Sequence, residues 1–417
     1  MASKRSTMKT KVSTEALGDL PELLFTALAS DPELEPLTWV RGEEGMVAFG
    51  IYKQVEVRGA HRFEDAKRWW QEALHEFEIH NNVNGSGTGP ILFASFSFDP
   101  DEPSLLVIPK VVVGKRSERR WITWIGDAPQ PQLISLEKEP DPLSMTWSGE
   151  NGEAWRDHVA KIVDLIQEGE AEKVVLARSL DGRSEKKIES RRLLQLLGES
   201  YPTTWLFSLQ GLVGATPELL VRLAKSFVTS RVLAGTIKRS GDDEKDLALA
   251  ASLARSSKDL EEHEYAVRSV ADAITPLCAS TNVPESPFVL HLSNVMHLAT
   301  DVTGVVSDSV NPPNIFDFLE RLHPSAAVCG TPRDVAARSI RSVEEISRGR
   351  YAGPIGWVDI RSDGEFGIAL RCGQIDESGK KIRIYAGCGI VAGSDPVAEY
   401  EESEAKLSAM QNALARH

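Results

Sequence analysis

The stretch GCGIVAGSDPVAEYEESEAK, from Gly387 to Lys406, decides how the chain is organised. It reads as the end of a strand, a glycine-rich turn and the start of a helix. Asp395 followed by Pro396 predicts an N-cap with proline at the first helical position. Apolar residues recur beyond this point at the period of a helix, which we expect to pack by that face: Tyr400, Leu407, Met410 and Leu414.

A different face of the same predicted helix carries charged residues. Glu399, Glu402 and Lys406 lie three and four residues apart, so they share one side, close to the predicted turn at Gly387–Gly389. Two carboxylates, an ammonium group and backbone N–H groups would then converge on a small volume. The alternative interpretation is a solvated acidic helix with one i,i+4 ion pair.

The composition limits the classes of function. The chain has 417 residues and a formal net charge of -14, without a long block of lysine and arginine, which argues against nucleic acid as the main partner. The four cysteines form no CxxC pair, so neither a zinc site nor a disulfide framework is indicated. No apolar run approaches membrane-spanning length. We therefore expect an unexported, cytoplasmic protein that acts on a small molecule, with no membrane partner.

The chain divides into three parts. Residues 1–15 are polar and are expected to be disordered, and residues 16–148 alternate short apolar and polar runs without a chemical motif. The signals are stronger in residues 149–417. They predict a helix with apolar residues from Trp155 to Ile166, a strand Lys173–Arg178 closed by a turn at Asp181-Gly182, and a long helix from Asp243 to about Ile274. We expect one structural unit.

The long helix repeats the acidic pattern of the C-terminal stretch. Asp259 and Glu262, three residues apart, flank an apolar stripe, as Glu399 and Glu402 do. Two such helices can bring their acids together only if a cation neutralises them, and ligation by oxygen atoms suits magnesium. The alternative of two unrelated acidic faces stays open.

Arg371 lies in an apolar segment. The last third reads as an antiparallel meander whose middle strand is Gly367–Ile375, with Arg371 inside it. An arginine in such a place is costly unless it meets an anion, and its planar fork matches a carboxylate. A structural ion pair and a ligand contact are both consistent with this residue alone.

Eight motifs, in this order, resemble those of the chorismate-utilising enzymes. That family contains isochorismate, salicylate, anthranilate and aminodeoxychorismate synthases, and the resemblance covers about residues 150 to 410. The motifs are KVVLAR from Lys173, GATPE from Gly214, LAGT from Leu233, SKDLEEH from Ser257, LHP from Leu322, RYAGP from Arg350, IALR from Ile368 and GCGI from Gly387.

The resemblance implies a fold and a set of site residues. The fold would be α/β (α+β), a large sandwich of antiparallel β-sheets flanked by helices, as in component I of anthranilate synthase. Chorismate would be the substrate, and we expect a monomer or a weak dimer. Magnesium would be held by Glu262 and Glu402, with Glu399 and Asp259 beside them. The enolpyruvyl carboxylate would be held by Arg371, Tyr351 and the amides of Gly387, Cys388 and Gly389. The pocket would be completed by Lys406, His323, Gly235, Thr236 and Ala327.

Lys173 and Glu218 bear on which reaction is expected. Isochorismate formation adds water at C2 of the ring and expels the C4 hydroxyl, so it needs a base and an acid. We assign Lys173 as the base and Glu218 as the acid. Desolvation or a nearby cation would favour neutral Lys173, and burial would keep Glu218 protonated. The alternatives are an ordinary strand-edge lysine and a surface acid.

The resemblance also separates the branches of the family. Relatives that use ammonia typically carry glutamine at the position of Lys173. Salicylate synthases keep the lysine but usually carry threonine where this chain has Ala327, and alanine has no hydroxyl for that contact. We therefore expect a magnesium-dependent isomerase, an isochorismate synthase of the menaquinone or siderophore type. The alternatives are a salicylate synthase and a non-catalytic chorismate-binding paralogue.

Overall fold

A computed structural model describes residues 9–18, 28–29, 34–128, 133–134, 143–149, 152–292, 295–308 and 310–416. The helices are α1 (Arg62–His75), α2 (Gly152–Gln167), α3 (Ser190–Ser200), α4 (Asp243–Leu253), α5 (Ser257–Ile274), α6 (Ile315–Leu322), α7 (Arg333–Val343) and α8 (Pro396–Arg416). The strands are β1 (Thr10–Ala16), β2 (Leu28–Ala29), β3 (Leu37–Arg41), β4 (Glu44–Val57), β5 (Phe77–Asn81), β6 (Ile91–Ser95), β7 (Ser104–Arg116), β8 (Arg119–Ile125), β9 (Leu133–Ile134), β10 (Thr146–Gly149), β11 (Lys173–Arg183), β12 (Trp205–Leu209), β13 (Leu212–Thr216), β14 (Leu219–Ala224), β15 (Phe227–Lys238), β16 (Cys278–Asn282), β17 (Phe288–His291), β18 (Val295–Val306), β19 (Gly330–Thr331), β20 (Pro354–Asp359), β21 (Gly364–Ile368), β22 (Cys372–Ile375) and β23 (Lys381–Ile390).

The predicted fold class is confirmed, because the structure combines a large antiparallel sheet system with packed helices. Within the described ranges, all strands except β2 and β9 are connected by strand pairing, and β1 with β5 is the one parallel pair. Helices α5 and α8, which carry the predicted acids, pack against β15 and β23 respectively. No helix in the ranges described above is long and apolar enough to cross a membrane.

Two neighbouring pairs of strands are each interrupted by a short connecting segment. These two segments lie side by side, are called the bends below, and position the site. β13 pairs with β22, and β14 pairs with β21. Pro217-Glu218 connects β13 to β14, while Ala369–Arg371 connects β21 to β22. The bends are linked, since the N–H of Ile368 donates to the carbonyl of Glu218 at 3.2 Å and that of Ala215 donates to Arg371 at 3.1 Å. Glu218 therefore lies next to β21, and Arg371 lies next to β13.

Helix α8 forms as its local signals predict. Asp395 Oδ2 accepts a hydrogen bond from the Ala398 N–H at 2.9 Å, and Pro396 is the first helical residue. Leu407, Met410 and Leu414 are fully buried, as expected for a helix that packs by one apolar face. The N-cap and the stripe together fix which way Glu399, Glu402 and Lys406 point.

The expectation of disorder at the N-terminus is wrong where it can be compared with the structure. Residues 10–15 lie in β1, which pairs with β5 on one side and β8 on the other. Val12 is fully buried, and Thr14 Oγ1 meets Thr123 Oγ1 at 2.9 Å. These partners are far away in sequence, so a short polar segment gives no local sign of them. Residues 1–8 lie outside the described residues.

The predicted turn at Asp181-Gly182 is also wrong. β11 continues through both residues to Arg183 and pairs with β23 from Val174 to Arg183. A Cβ atom on Gly182 would lie 2.7 Å from Cζ3 of Trp147, so the glycine makes room for an aromatic ring on β10. Close packing, rather than a turn, requires glycine here.

Three further boundaries differ from the predictions. Gly387–Gly389 lies within β23 and is not a turn. The predicted middle strand Gly367–Ile375 is interrupted where Arg371 adopts a positive φ of 48°. The long helix is divided into α4 and α5, because the Ser256 side chain accepts from the Asp259 N–H and caps a new helix.

Replacing the cap of α8 should weaken the fold. Asp395→Ala is expected to lower the free energy of unfolding by about 1 kcal/mol, because the Ala398 N–H loses its acceptor. Urea denaturation monitored by circular dichroism measures this loss. Asp395→Asn keeps a capping oxygen and should restore most of the stability, and an equal loss in both variants would contradict the assigned cap.

Candidate active site

A cavity of about 720 Å³, including its opening to solvent, lies where the two bends meet β11, β15, β23 and α8. The structure brings most of the predicted site residues to its wall. These are Glu218, Gly235, Thr236, Glu262, Ala327, Tyr351, Arg371, Gly387, Gly389 and Lys406. Side chains that are distant in sequence thus share one concave surface.

Lys173 and Glu262 form a buried ion pair at the edge of this cavity. Lys173 begins β11 with a side chain that is 0% exposed, and its Nζ donates to Glu262 Oε1 on α5 at 3.1 Å. Burial alone would raise the pKa of Glu262, but the ammonium groups of Lys173 and Lys406 outweigh it and hold that pKa below its usual value. Glu262 is therefore a carboxylate at neutral pH.

Gly389 makes this ion pair possible. A Cβ atom at Gly389 would lie 2.8 Å from Lys173 Cε and would also collide with the Glu262 carboxylate. Strand β23 places Gly389 directly opposite Val175 of β11, so the backbone fixes this approach. Only glycine leaves space for both charged side chains.

Glu218, in contrast to Glu262, is uncharged. It is buried at the bend between β13 and β14, and its N–H donates to Thr216 Oγ1 at 3.2 Å. Burial raises the pKa of Glu218 to about 8, although the charges of Lys173 and Lys406 oppose the shift. Glu218 is therefore mostly protonated at pH 7 and can donate a proton into the cavity.

Arg371 contacts a histidine that the sequence analysis missed. Arg371 Nη2 lies 3.3 Å from His297 Nε2, and His297 Nδ1 lies 3.0 Å from Thr236 Oγ1. Burial and the charges of Arg371 and Lys406 hold the pKa of His297 well below its usual value, so the ring is neutral. In the described part of the chain, Arg371 forms no ion pair with a carboxylate. The sequence signal that could have identified His297 is a histidine within the largely apolar strand β18.

Tyr351 and Lys406 complete the wall on the side of β23. The ring of Tyr351 stacks on that of Tyr385, with centroids 4.8 Å apart. A Cβ atom on Gly387 would lie 3.0 Å from the Tyr351 hydroxyl, and Lys406 Nζ donates to the Gly387 carbonyl at 2.8 Å. A phenol and an ammonium group thus approach the same stretch of backbone.

Two of the four predicted acids, Glu399 and Glu402, have carboxylate oxygens within 4.8 Å of each other. Glu262 lines the cavity and Asp259 lies against Gly235 of its wall, and lysines pair with three of the four acids. Lys406 pairs with Glu402 at 2.5 Å and Lys258 with Glu399 at 2.8 Å, in addition to the Lys173–Glu262 pair. Burial, then the charge of Glu402, raises the pKa of Glu399. Burial also raises the pKa of Asp259, with Glu262 contributing. Glu399 thus feels the charge of Glu402, and Asp259 feels that of Glu262.

Carboxylate oxygens are suitable ligands for magnesium, so this donor set fits the predicted metal. One ligand atom each of Glu399, Glu402 and Cys388 lie within 4.8 Å of one another. The Cys388 thiol donates to the Glu399 carbonyl at 3.3 Å and is fully buried. The thiol is a poor ligand for magnesium, which leaves the oxygen atoms as the candidate ligands.

His323 lies outside the cavity wall, contrary to the prediction. Its ring packs edge-on against Phe63 and Phe98, and Nε2 lies 3.4 Å from the Phe98 carbonyl. Burial, together with the charge of Arg62, lowers the pKa of His323 to about 3. The histidine is thus a neutral part of an aromatic cluster behind the loop that carries Ala327.

Arg348 is a second residue that the sequence analysis missed. It lines the cavity from behind, where Nη1 donates to the Val328 carbonyl at 2.9 Å and Nη2 to the Val175 carbonyl at 2.7 Å. Glu344 accepts from Arg348 and, at 2.7 Å, from the Ala177 N–H. This buried pair connects the Ala327 loop to β11.

The fold and this site define a class of protein. A family model described as chorismate binding enzyme matches residues 6–415. The chain belongs to this family of chorismate binding enzymes, which confirms the resemblance of the motifs.

Two of its relatives are named isochorismate synthases. The chain is 32% identical over 416 residues to the isochorismate synthase MenF of Bacillus subtilis, with 92% of this chain and 87% of the relative covered. It is 31% identical over 386 residues to DhbC, an isochorismate synthase of the same organism, with 88% and 91% covered. These relatives are isomerases, and the prediction of an enzyme of this type is confirmed.

Solved structures agree with the fold. The putative 2,3-dihydroxybenzoate-specific isochorismate synthase DhbC of Bacillus anthracis superposes with a TM-score of 0.77 at 30% identity, covering 93% of this chain and 97% of that one. The menaquinone-specific isochorismate synthase MenF of Escherichia coli gives a TM-score of 0.82 at 23% identity, with 98% and 95% covered. At that identity the second likeness shows the fold alone.

The raised pKa of Glu218 predicts a pH-dependent cost to stability. The unfolded chain ionises near the usual value of 4.5 and the folded protein near 8, so wild-type stability should fall as pH rises between these values. The slope is about 1.4 kcal/mol for each pH unit. In Glu218→Gln this contribution is absent. The free energy of unfolding of the variant should therefore rise relative to that of the wild type from pH 5 to pH 8.

Urea unfolding at several pH values measures this difference. Glu345→Gln, which changes an exposed acid on the surface, is the control and should follow the wild type. Parallel pH curves for the wild type and Glu218→Gln would contradict the assignment of a neutral Glu218.

Proposed function

We propose that the protein is an isochorismate synthase, which converts chorismate reversibly to isochorismate with magnesium. One observation carries this proposal: a protonated Glu218, a Glu262 that contacts the buried Lys173, and an arginine with no carboxylate partner among the described residues line the same cavity. An acid, a candidate base and an anion-binding group are the parts that this reaction needs. The isochorismate synthases at 31% and 32% identity support the same reaction.

The cationic groups of the wall suit a substrate with two carboxylates. Arg371 has two N–H groups on one side of its guanidinium, and His297 is the group that it contacts in the described protein. We propose that Arg371 and the Tyr351 hydroxyl bind the enolpyruvyl carboxylate of chorismate, with the backbone amides at Gly387–Gly389. Charge-assisted hydrogen bonds of this kind are about twice as strong as neutral ones.

Lys173 and Glu218 would divide the proton transfers between them. The neutral Lys173 amine takes a proton from water as the water oxygen bonds to C2 of the ring. Glu218 gives its proton to the C4 hydroxyl, which leaves as water while the ring double bond shifts. In the reverse direction the two residues exchange roles. Lys173 Nζ contacts Glu262 Oε1, so it has to give up this contact before it can act on water.

The acids at the end of the cavity would hold magnesium. The candidate ligands are Glu262 and Glu402, with Glu399 and Asp259 beside them. The ion would supply a Lewis acid for the carboxylate on the ring and a counter-charge for the acids. Lys173 is already in contact with Glu262, so ligation of this acid would weaken the hold of Glu262 on the amine.

Ala327 supports isochorismate as the final product. It lines the cavity, and its methyl side chain offers no hydrogen bond to a substrate. Relatives that go on to eliminate pyruvate usually carry threonine here. One named relative is a vibriobactin-specific isochorismate synthase. We propose that this enzyme serves menaquinone or siderophore formation, in the cytoplasm, as a monomer or weak dimer.

The reaction itself is tested by resolving its products. Purified protein incubated with chorismate and magnesium is expected to give isochorismate by chromatography, while a lactate dehydrogenase couple detects little pyruvate. Isochorismate supplied alone should return chorismate. Salicylate with equal amounts of pyruvate would overturn the proposal in favour of a lyase, and binding of chorismate without conversion would indicate a silent paralogue.

The role of Lys173 as the base has its own test. Lys173→Gln keeps a hydrogen-bond donor for Glu262 but removes the amine, so turnover should fall by about 10²–10⁴-fold. Chorismate binding, followed by calorimetry, should persist because Arg371 is intact, and circular dichroism checks that the variant, whose Glu262 has lost this cation, is folded. Lys161→Gln on α2 is the control for an exposed lysine. Turnover within tenfold of the wild type would exclude Lys173 as the base.

A further inference from the structure

Three lysines hold the acids of the proposed metal site, and their surroundings differ. Lys173 and Lys406 are enclosed, with side chains 0% and 15% exposed. Lys258 is 38% exposed and does not line the cavity, although it reaches a Glu399 side chain that is only 2% exposed. The proposed reaction gives Lys258 no role.

The position of Lys258 makes it a counter-charge for more than one acid. Its Nζ lies 2.8 Å from Glu399 Oε1, and it also interacts electrostatically with Glu402 and Glu262. Within the described residues no other lysine or arginine forms an ion pair with Glu399. A buried carboxylate beside a second carboxylate needs such compensation.

We propose that Lys258 is a positioning residue that substitutes for the metal ion in the metal-free protein and competes with it. This inference rests on the proposed magnesium site. Lys258 holds Glu399 in place beside Glu402 until a divalent ion supplies the positive charge. Because its side chain reaches solvent at the edge of α5, the ammonium group can then withdraw into water. The enclosed Lys173 and Lys406 have no comparable path.

The proposal fixes the direction of two effects. Without the Lys258 charge, magnesium binding no longer has to displace a cation, and repulsion between two positive charges a few ångström apart disappears. Even at the dielectric constant of water this repulsion corresponds to about tenfold in affinity. The metal-free protein, in contrast, loses the partner of a buried carboxylate and becomes less stable.

The experiment compares Lys258→Met with a matched control. Lys53 is 39% exposed and pairs with Glu76 at 2.6 Å, but Glu76 is itself 47% exposed. Magnesium is titrated by calorimetry into each protein without chorismate, and the Tm of each is measured in EDTA. Lys258→Met should bind magnesium about tenfold more tightly and melt a few degrees lower in EDTA. Lys53→Met should match the wild type in both, and Lys258→Arg should restore both values.

Two results would overturn the inference. One is magnesium affinity in Lys258→Met that equals or falls below that of the wild type, including the absence of binding in both. The other is a Tm in EDTA equal to that of Lys53→Met. Neither readout depends on turnover, so a wild type that binds magnesium but converts no chorismate would contradict the proposed function while leaving the role of Lys258 intact.

Discussion

The rest of the site depends on the buried ion pair between Lys173 and Glu262. It joins the first residue of β11 to the second turn of α5, and neither side chain has room unless β23 provides a glycine at position 389. A buried lysine or glutamate alone would cost several kcal/mol, whereas the pair with good geometry is tolerated. Three elements from distant parts of the chain are therefore held in one arrangement by a single electrostatic requirement.

The same charges act on two carboxyl groups, of which one is ionised and the other is neutral. Glu218 and Glu262 are both buried and both feel the charges of Lys173 and Lys406. Glu262 also accepts a direct hydrogen bond from Lys173, which lowers its pKa. The backbone N–H of Glu218 donates to Thr216 Oγ1, and among the described residues the Glu218 carboxyl accepts no side-chain hydrogen bond. One cavity thus contains a carboxylate and a carboxylic acid, which is a typical way for a fold to separate acid and base roles.

The features that the sequence predicts well are those with local causes. Asp395, Pro396 and the apolar stripe of α8 act within a few residues, so the helix and the direction of Glu399 and Glu402 follow from the pattern. Where a contact between residues that are distant in sequence determines the local structure, the sequence pattern misleads. Gly182 resembles a turn residue but makes room for Trp147, and Gly389 makes room for Lys173. His297 gave a weak signal, because its importance comes from contact with Arg371, 74 residues away.

The bends between the paired strands explain how an acidic protein offers a cationic cavity. With a net charge of -14, the surface as a whole repels a substrate that carries two carboxylates. The bend at Ala369–Arg371 turns Arg371 away from the regular alternation of a strand, through a positive φ, and into the cavity wall with Lys406. Most acids at that wall are already neutralised by lysines or, at Glu218, by a proton. Among the residues that the structure describes, Arg371 has no ion pair with an acid, so a bound carboxylate would complete the charge balance at this wall.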